Sequence, residues 1–220
     1  EGLDNLVSEI KRDGNRATGY MLNAIETGSI ENCIEQVEFD IGPIDTVVFN
    51  LGAQTGSKML EDTSNKTFEL SWRLATFSLF RAAASILPAM KRRSRGTFLV
   101  TSATAAVRGN AGQAAHASAM AARRMLCQSL NAEYAPKGVH IAHILIDGLV
   151  DAPDTLGKLM GKDSFTRLRE RRGALHDGLI LPAKVADTYF HLANQHRSTW
   201  THELDIRSFS DLAWWNHEIS

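Results

Sequence analysis

The sequence predicts an α/β fold, a doubly wound and mostly parallel sheet, and three observations carry that expectation. Helical and strand periodicities alternate along the chain, the order that crossover helices and parallel strands produce. The strand candidates IDTVVFNLGA, GTFLVTSA and VHIAHILIDG are continuous apolar runs, as strands covered on both faces require. Glycine, proline or polar turns separate these runs from the helical stretches.

The elements follow in order. EGLDNLVSEIKRDGN places Leu3, Leu6, Val7 and Ile10 on one helical face and stops at Gly14. ATGYMLNA, 17–24, is short, apolar and ends in a polar turn, which reads as a buried strand. SIENCIEQVEFDIG carries Ile30, Cys33, Ile34 and Val37 at helical spacing and ends at Gly42-Pro43. The IDTVVFNLGA strand breaks at Gly52. A long helix is expected from Ser64 to about Lys91, with Phe68, Trp72, Leu79, Ala83, Ile86, Leu87 and Met90 along its inner stripe. KRRSRG closes it as a solvated helix end, with cations where the dipole is negative. After GTFLVTSA, a second long helix runs from about 113 to 134 and ends at APKG. His140 and His143 lie three apart on the next strand and point to opposite faces, so they read as ordinary sheet residues and not as metal ligands. Residues 151–181 are irregular apart from a short helix at RLRERRG; a helix at 182–195 and a strand at TWTHELDIRS follow.

The 220 residues fit one domain, 1–220. Hydrophobic residues at 44% and charged residues at 22% describe an ordinary globular chain, and a net charge of −1 asks for neither nucleic acid nor an anionic membrane. The two cysteines, Cys33 and Cys127, argue against a disulfide framework and for a reducing, cytoplasmic setting. No apolar run approaches the roughly 18 residues that a membrane span needs.

Four stretches, in order and on the expected elements, resemble the short-chain dehydrogenase/reductase family from near residue 1 to about 208. FNLGA is similar to the turn that ends a strand beside the cofactor's adenine ribose, and VTSATA to the strand end that presents a catalytic serine. NAEYAPKGVHIAHILIDG follows the helix, turn and strand after the active-site helix, and DGLVDAP resembles the segment whose backbone meets the nicotinamide amide. The resemblance implies a Rossmann-like sheet and an NAD(P)-dependent oxidoreductase acting on a carbonyl or secondary alcohol. It also implies a homodimer or homotetramer paired through the two long helices, which carry small residues such as Ala82, Ala83, Ala84, Ala117, Ala119, Ala121 and Ala122.

By the same resemblance, Ser102 would hold the substrate oxygen. The family's tyrosine falls on His116, its lysine on Met120 and its proton-relay asparagine on Ala75. The expected cofactor contacts are Asn23 at the adenine, Asn50, Gly52 and Ala53 near the ribose, and the backbone of Gly148 and Val150 at the nicotinamide. Asp147 and Ala152 stand where the family has proline and threonine.

Two readings of His116 stay open. An imidazole, with a pKa of about 6.5, is a usable acid or base without a neighbouring cation. Alternatively His116 sits at the mouth of an abandoned cleft, and Ala119, Met120 and Met125 are packing.

NAD or NADP is the implied cofactor, but these residues hold no glycine-rich turn after a first strand to meet the pyrophosphate. The comparison places residue 1 inside the family's second helix, leaving out a unit of about 30 residues or slightly more. The expectation is therefore an N-terminally truncated sheet and a piece of a longer chain, in which the 17–24 strand lacks its usual neighbour. The alternative function is a non-catalytic relative that serves as a dimerising interaction module. A lyase or dehalogenase on the same scaffold is a third reading, against which His116 and Met120 speak. Trp214 and Trp215 near the C-terminus would cap a pocket or a partner surface, or pack loosely.

Overall fold

A computed structural model describes residues 2–52, 56–173 and 175–216. Its centre is a four-stranded, all-parallel sheet in the order β1 (Thr46–Phe49), β2 (Gly96–Ala103), β3 (Val139–Ile146), β4 (Glu203–Ile206). The helices are α1 (Gly2–Arg12), α2 (Ser29–Asp40), α3 (Asn65–Trp72), α4 (Ser78–Arg93) and α5 (Ala114–Tyr134), then α6 (Lys158–Met160), α7 (Lys162–Arg172) and α8 (Pro182–Ala193). A π turn, Arg73–Phe77, joins α3 to α4.

Local chemistry explains the boundaries. The Ser64 hydroxyl accepts the Thr67 N–H at 3.2 Å and caps α3. At the far end of α4 the cationic run is more than a solvated helix end. Arg93 donates to the Ile44 carbonyl at 2.7 Å, and Arg95 pairs with Asp45 at 2.6 Å, which fastens the helix to the entry of β1. Between α5 and β3, Gly138 turns with φ +84, and a Cβ there would lie 2.4 Å from the Ser94 carbonyl oxygen. Only glycine fits that turn.

The sheet is covered on both faces. Phe98, Val100, Val139 and Ile141 pack with Leu79, Ala83, Ile86, Leu87 and Met90 of α4 and Cys127 of α5. On the other face Leu99, Ala142 and Ile144 pack against Leu192 of α8. This is the doubly wound α/β arrangement that the apolar strands predicted.

Three expectations are corrected. Residues 17–24 form no strand, and Met21 and Leu22 are exposed. A strand exists through its ladder partner, and among the described residues none lies on the outer side of β1. Phe68 and Trp72 do not face inward; they are 46% and 42% exposed, while Ser71, Ala75 and Thr76 are buried. The π turn adds a residue to the helical register, which rotates everything before it by roughly 100° relative to α4. Met125 is also outside the core, 51% exposed on the flank of α5.

Candidate active site

The C-terminal end of β2 presents Ser102, opposite Leu145 of β3. Ser102 is buried, and its Oγ has no hydrogen-bond partner. The helix α5 crosses above it. There Ala119 and Met120 close against Ala75 of the π turn, Ala106 and Leu145 in one apolar cluster. The structure thus brings together the two positions where the resemblance expects a relay asparagine and a lysine. Ala75 is 0% and Met120 3% exposed, and neither side chain can donate to a ribose hydroxyl or carry a proton.

His116 lies one turn earlier on α5 and is 9% exposed. It lines a cavity of about 10 Å³ with Gly56, Lys58, Thr63, Thr67 and Gly112, about the least space that holds one water. Ser102 is not on that wall. The lid over His116 is fixed by Lys58 N–H to the Gly112 carbonyl at 2.9 Å and by the Ser57 hydroxyl to the same oxygen at 3.3 Å.

The expected cofactor contacts are scattered in character. Asn23 is engaged in its own turn: its amide donates to Glu26 at 3.0 Å, its side-chain oxygen accepts Ile25 N–H, and its backbone N–H meets Ser29. Asn50 and Gly52 are exposed just beyond β1, and Ala53 falls outside the described residues. Gly148 is exposed, and a Cβ there would meet Asp211 at 2.9 Å. Val150 forms a parallel bridge with Ile180 through the Leu149 carbonyl and the Asp151 N–H, both at 2.9 Å. In that pairing the Val150 N–H points away from Ile180.

The C-terminal segment is bolted across the strand ends. Buried Asp147 accepts Arg207 Nε at 3.1 Å and the Trp214 N–H at 3.0 Å. Arg108 donates to the Trp214 carbonyl at 3.0 Å, and Asp211 pairs with Arg172. Trp214 and Trp215 border a groove of about 580 Å³ with Val107, Leu145, Arg124 and Glu203. Arg207 lies 4.9 Å from the Trp215 ring centroid.

Two features escaped the sequence reading. Arg123 is buried on the inner face of α5, and desolvation lowers its pKa to about 10. The next residue, Arg124, makes two 2.7 Å bonds to Glu203, whose Oε2 also meets His143 Nδ1 at 3.0 Å. The Arg124 guanidinium holds Glu203 below the usual carboxylate range; burial pushes His143 down to about 4 and Cys127 up to about 12. The signal for Arg123 was its spacing: 116, 120, 123 and 127 form one helical stripe whose other members are buried.

The short chain dehydrogenase family matches residues 1–155. The 3-oxoacyl-(acyl-carrier-protein) reductase of Salmonella typhimurium is 28% identical over 145 residues, 64% of this chain and 57% of that protein. The 2,3-dihydro-2,3-dihydroxybenzoate dehydrogenase of Bacillus subtilis is 26% identical over 135 residues, 61% of this chain and 51% of that protein. The chain therefore spans about half the length of these curated relatives. A short-chain dehydrogenase structure from Rhodopseudomonas palustris superposes with a TM-score of 0.76 at 27% identity, covering 94% of this chain and 82% of that one. A 7α-hydroxysteroid dehydrogenase complexed with NADH gives 0.78 at 19% identity, over 93% of this chain and 78% of that one, a likeness of fold. A parallel sheet wound on both faces, the serine at its strand end and a match over residues 1–155 make the chain a member of the short-chain dehydrogenase family.

Proposed function

We propose that this short-chain dehydrogenase-type chain works as a self-associating module and does not transfer hydride. One observation carries the reading: the positions for the relay asparagine and the lysine, Ala75 and Met120, are closed on each other in an apolar cluster beside Ser102. Hydride transfer to a carbonyl needs a proton delivered to the developing alkoxide; His116 is the side chain the resemblance offers for it, and neither Ala75 nor Met120 can relay a proton to it or hold a ribose hydroxyl. His116, walled in by Lys58, Thr63 and Gly112, supports the same reading.

Self-association is proposed through α3 and α4. Trp72 stacks on Phe77 at 5.3 Å and Phe77 on Phe80 at 6.3 Å, forming with Phe68 an exposed aromatic face. Exposed Ala84 on α4 and Ala121 on α5 allow helices to approach closely. Contiguous apolar surface of this kind marks an association site, and a two-fold pairing would bury it against its own copy. The reading keeps the chain in the cytoplasm, where free Cys33 and Cys127 are compatible with reducing conditions.

A second reading is an NAD(P)-dependent oxidoreductase of small carbonyls or secondary alcohols. Its support is the unbonded Ser102 Oγ and the Val150 N–H turned away from its bridge. His116 would then serve as acid or base once the 56–63 lid opened. Thermal unfolding with NADH or NADPH at millimolar concentration separates the two. Nucleotide at 100 times its dissociation constant adds about 2.7 kcal/mol to stability; the module reading expects no shift. A clear shift, with ketone turnover abolished by His116→Phe, establishes the enzyme reading instead.

A further inference from the structure

Arg123 is the bulkiest fully buried side chain among the described residues, 2% exposed, and its hydrogen bonds there all go to backbone carbonyls. Its three nitrogens donate to three backbone carbonyls: Nε to Ala75 at 2.8 Å, Nη1 to Thr101 at 2.7 Å and Nη2 to Leu51 at 3.0 Å. Those carbonyls belong to separate segments of the site. Ala75 is in the π turn, Thr101 precedes Ser102, and Leu51 lies between Asn50 and Gly52. The guanidinium carbon sits 5.4 Å from the Phe49 ring centroid, which closes one face.

The chemistry of this placement is specific. A cation without a counter-ion loses its hydration on burial, and carbonyl dipoles must replace the lost water. Arginine does so with a rigid planar fork of five N–H donors; a lysine ammonium is a compact charge that cannot span three acceptors on separate segments. A leucine would suit the apolar surroundings better if packing were the only requirement. The pKa of about 10 keeps the group cationic at neutral pH, so all three bonds stay charge-assisted.

We infer that Arg123 is the positioning residue of this site: its three bonds, made by the chain alone, set the spacing between the Ser102 strand end, the π turn and the Asn50–Gly52 loop. The inference goes beyond both functional readings, since it concerns a geometry fixed without any ligand.

The test is amide hydrogen exchange on the full chain, without nucleotide, comparing Arg123→Lys, Arg123→Leu and a control, Leu192→Ala. Leu192 is buried on the opposite face of the sheet, packed with Leu99, Ala142 and Ile144. Each exchange profile is normalised to that variant's own unfolding transition. Both Arg123 variants are expected to exchange at least tenfold faster than the control at 73–79, 101–103 and 50–52, and at the wild-type rate in α8. Wild-type protection in Arg123→Lys, or a profile indistinguishable from the control in either variant, overturns the inference. If neither variant folds, the unsubstituted chain decides by NMR. Slow exchange of the Arg123 Nε–H, with scalar coupling to the Ala75 carbonyl carbon, supports it. Rapid exchange of that proton overturns it.

Discussion

Restoring the family's lysine with Met120→Lys should destabilise this protein, and the size of the effect follows from the surroundings. Position 120 is 3% exposed and packs on Ala75, Ala119 and Leu145. An ammonium there keeps a penalty of several kcal/mol even after relaxation and water entry. Arg123 lies three residues on, where helical side chains are neighbours about 5–6 Å apart at Cβ. Like charges at that distance repel by about 3 kcal/mol at an effective dielectric of 20. The lysine will relieve part of this by losing its proton, so the net cost is set at roughly 3–5 kcal/mol, a large share of a typical domain's stability. Met120→Leu, similar in volume and uncharged, should cost less than about 1.5 kcal/mol. Urea unfolding followed by far-UV circular dichroism measures both. The sign of the pH dependence is a second check. A lysine whose folded pKa is depressed binds more protons when unfolded, so Met120→Lys should gain stability as pH rises toward about 10.4, its unfolded pKa. A variant as stable as the parent at pH 7, with no such slope, would mean that position 120 faces a polar, hydrated cleft, and the sealed-site reasoning fails.

Other outcomes follow from particular contacts. The folded pKa of His143 is pushed down to about 4, so the unfolded chain binds the extra proton between that value and about 6.5. Stability should be full above that window and fall by on the order of 2–3 kcal/mol across it, the depressed Glu203 adding to the loss; His143→Asn should flatten the dependence of urea midpoints on pH, and an unchanged slope contradicts the assignment. Arg81 grips Glu31 through Nε at 2.7 Å and Nη2 at 2.5 Å and donates to the Ala24 carbonyl at 3.0 Å. Arg81→Met should therefore cost about 1–3 kcal/mol, with a coupling to Glu31→Gln near 1 kcal/mol in a double-mutant cycle; additivity would show that the pair contributes nothing. Trp72→Asp together with Phe77→Asp should convert the associated form to monomer in analytical ultracentrifugation, whereas an unchanged sedimentation coefficient removes the aromatic face from the interface.

What the sequence disclosed was governed by local chemistry. β1, β2 and β3 were legible because Val47-Val48-Phe49, Phe98-Leu99-Val100 and Ile144-Leu145-Ile146 are unbroken apolar runs that only a doubly covered sheet accommodates. Residues 17–24 share that composition but lack a ladder partner, and pairing is a non-local property. The inward face of α3 was misread because a π turn leaves no plain mark in RLATF yet rotates Phe68 and Trp72 outward. At the site, two of the positions that the resemblance singled out, Ala75 and Met120, lie in one apolar cluster with Leu145, the strand partner of Ser102. The resemblance could not show that Asn23 is engaged in its own turn, because the acceptors are local side chains at 26 and 29. Nor could it tell which of two adjacent arginines turns inward: Arg123 reaches β2 and the π turn, while Arg124 reaches β4.

The rate at which the unsubstituted chain oxidises NADPH in the presence of a panel of small ketones tests the proposed loss of hydride transfer most directly. The sealed cluster around Met120 predicts consumption no faster than in protein-free buffer. Consumption proportional to protein concentration, lost in Ser102→Ala and His116→Phe, would contradict it.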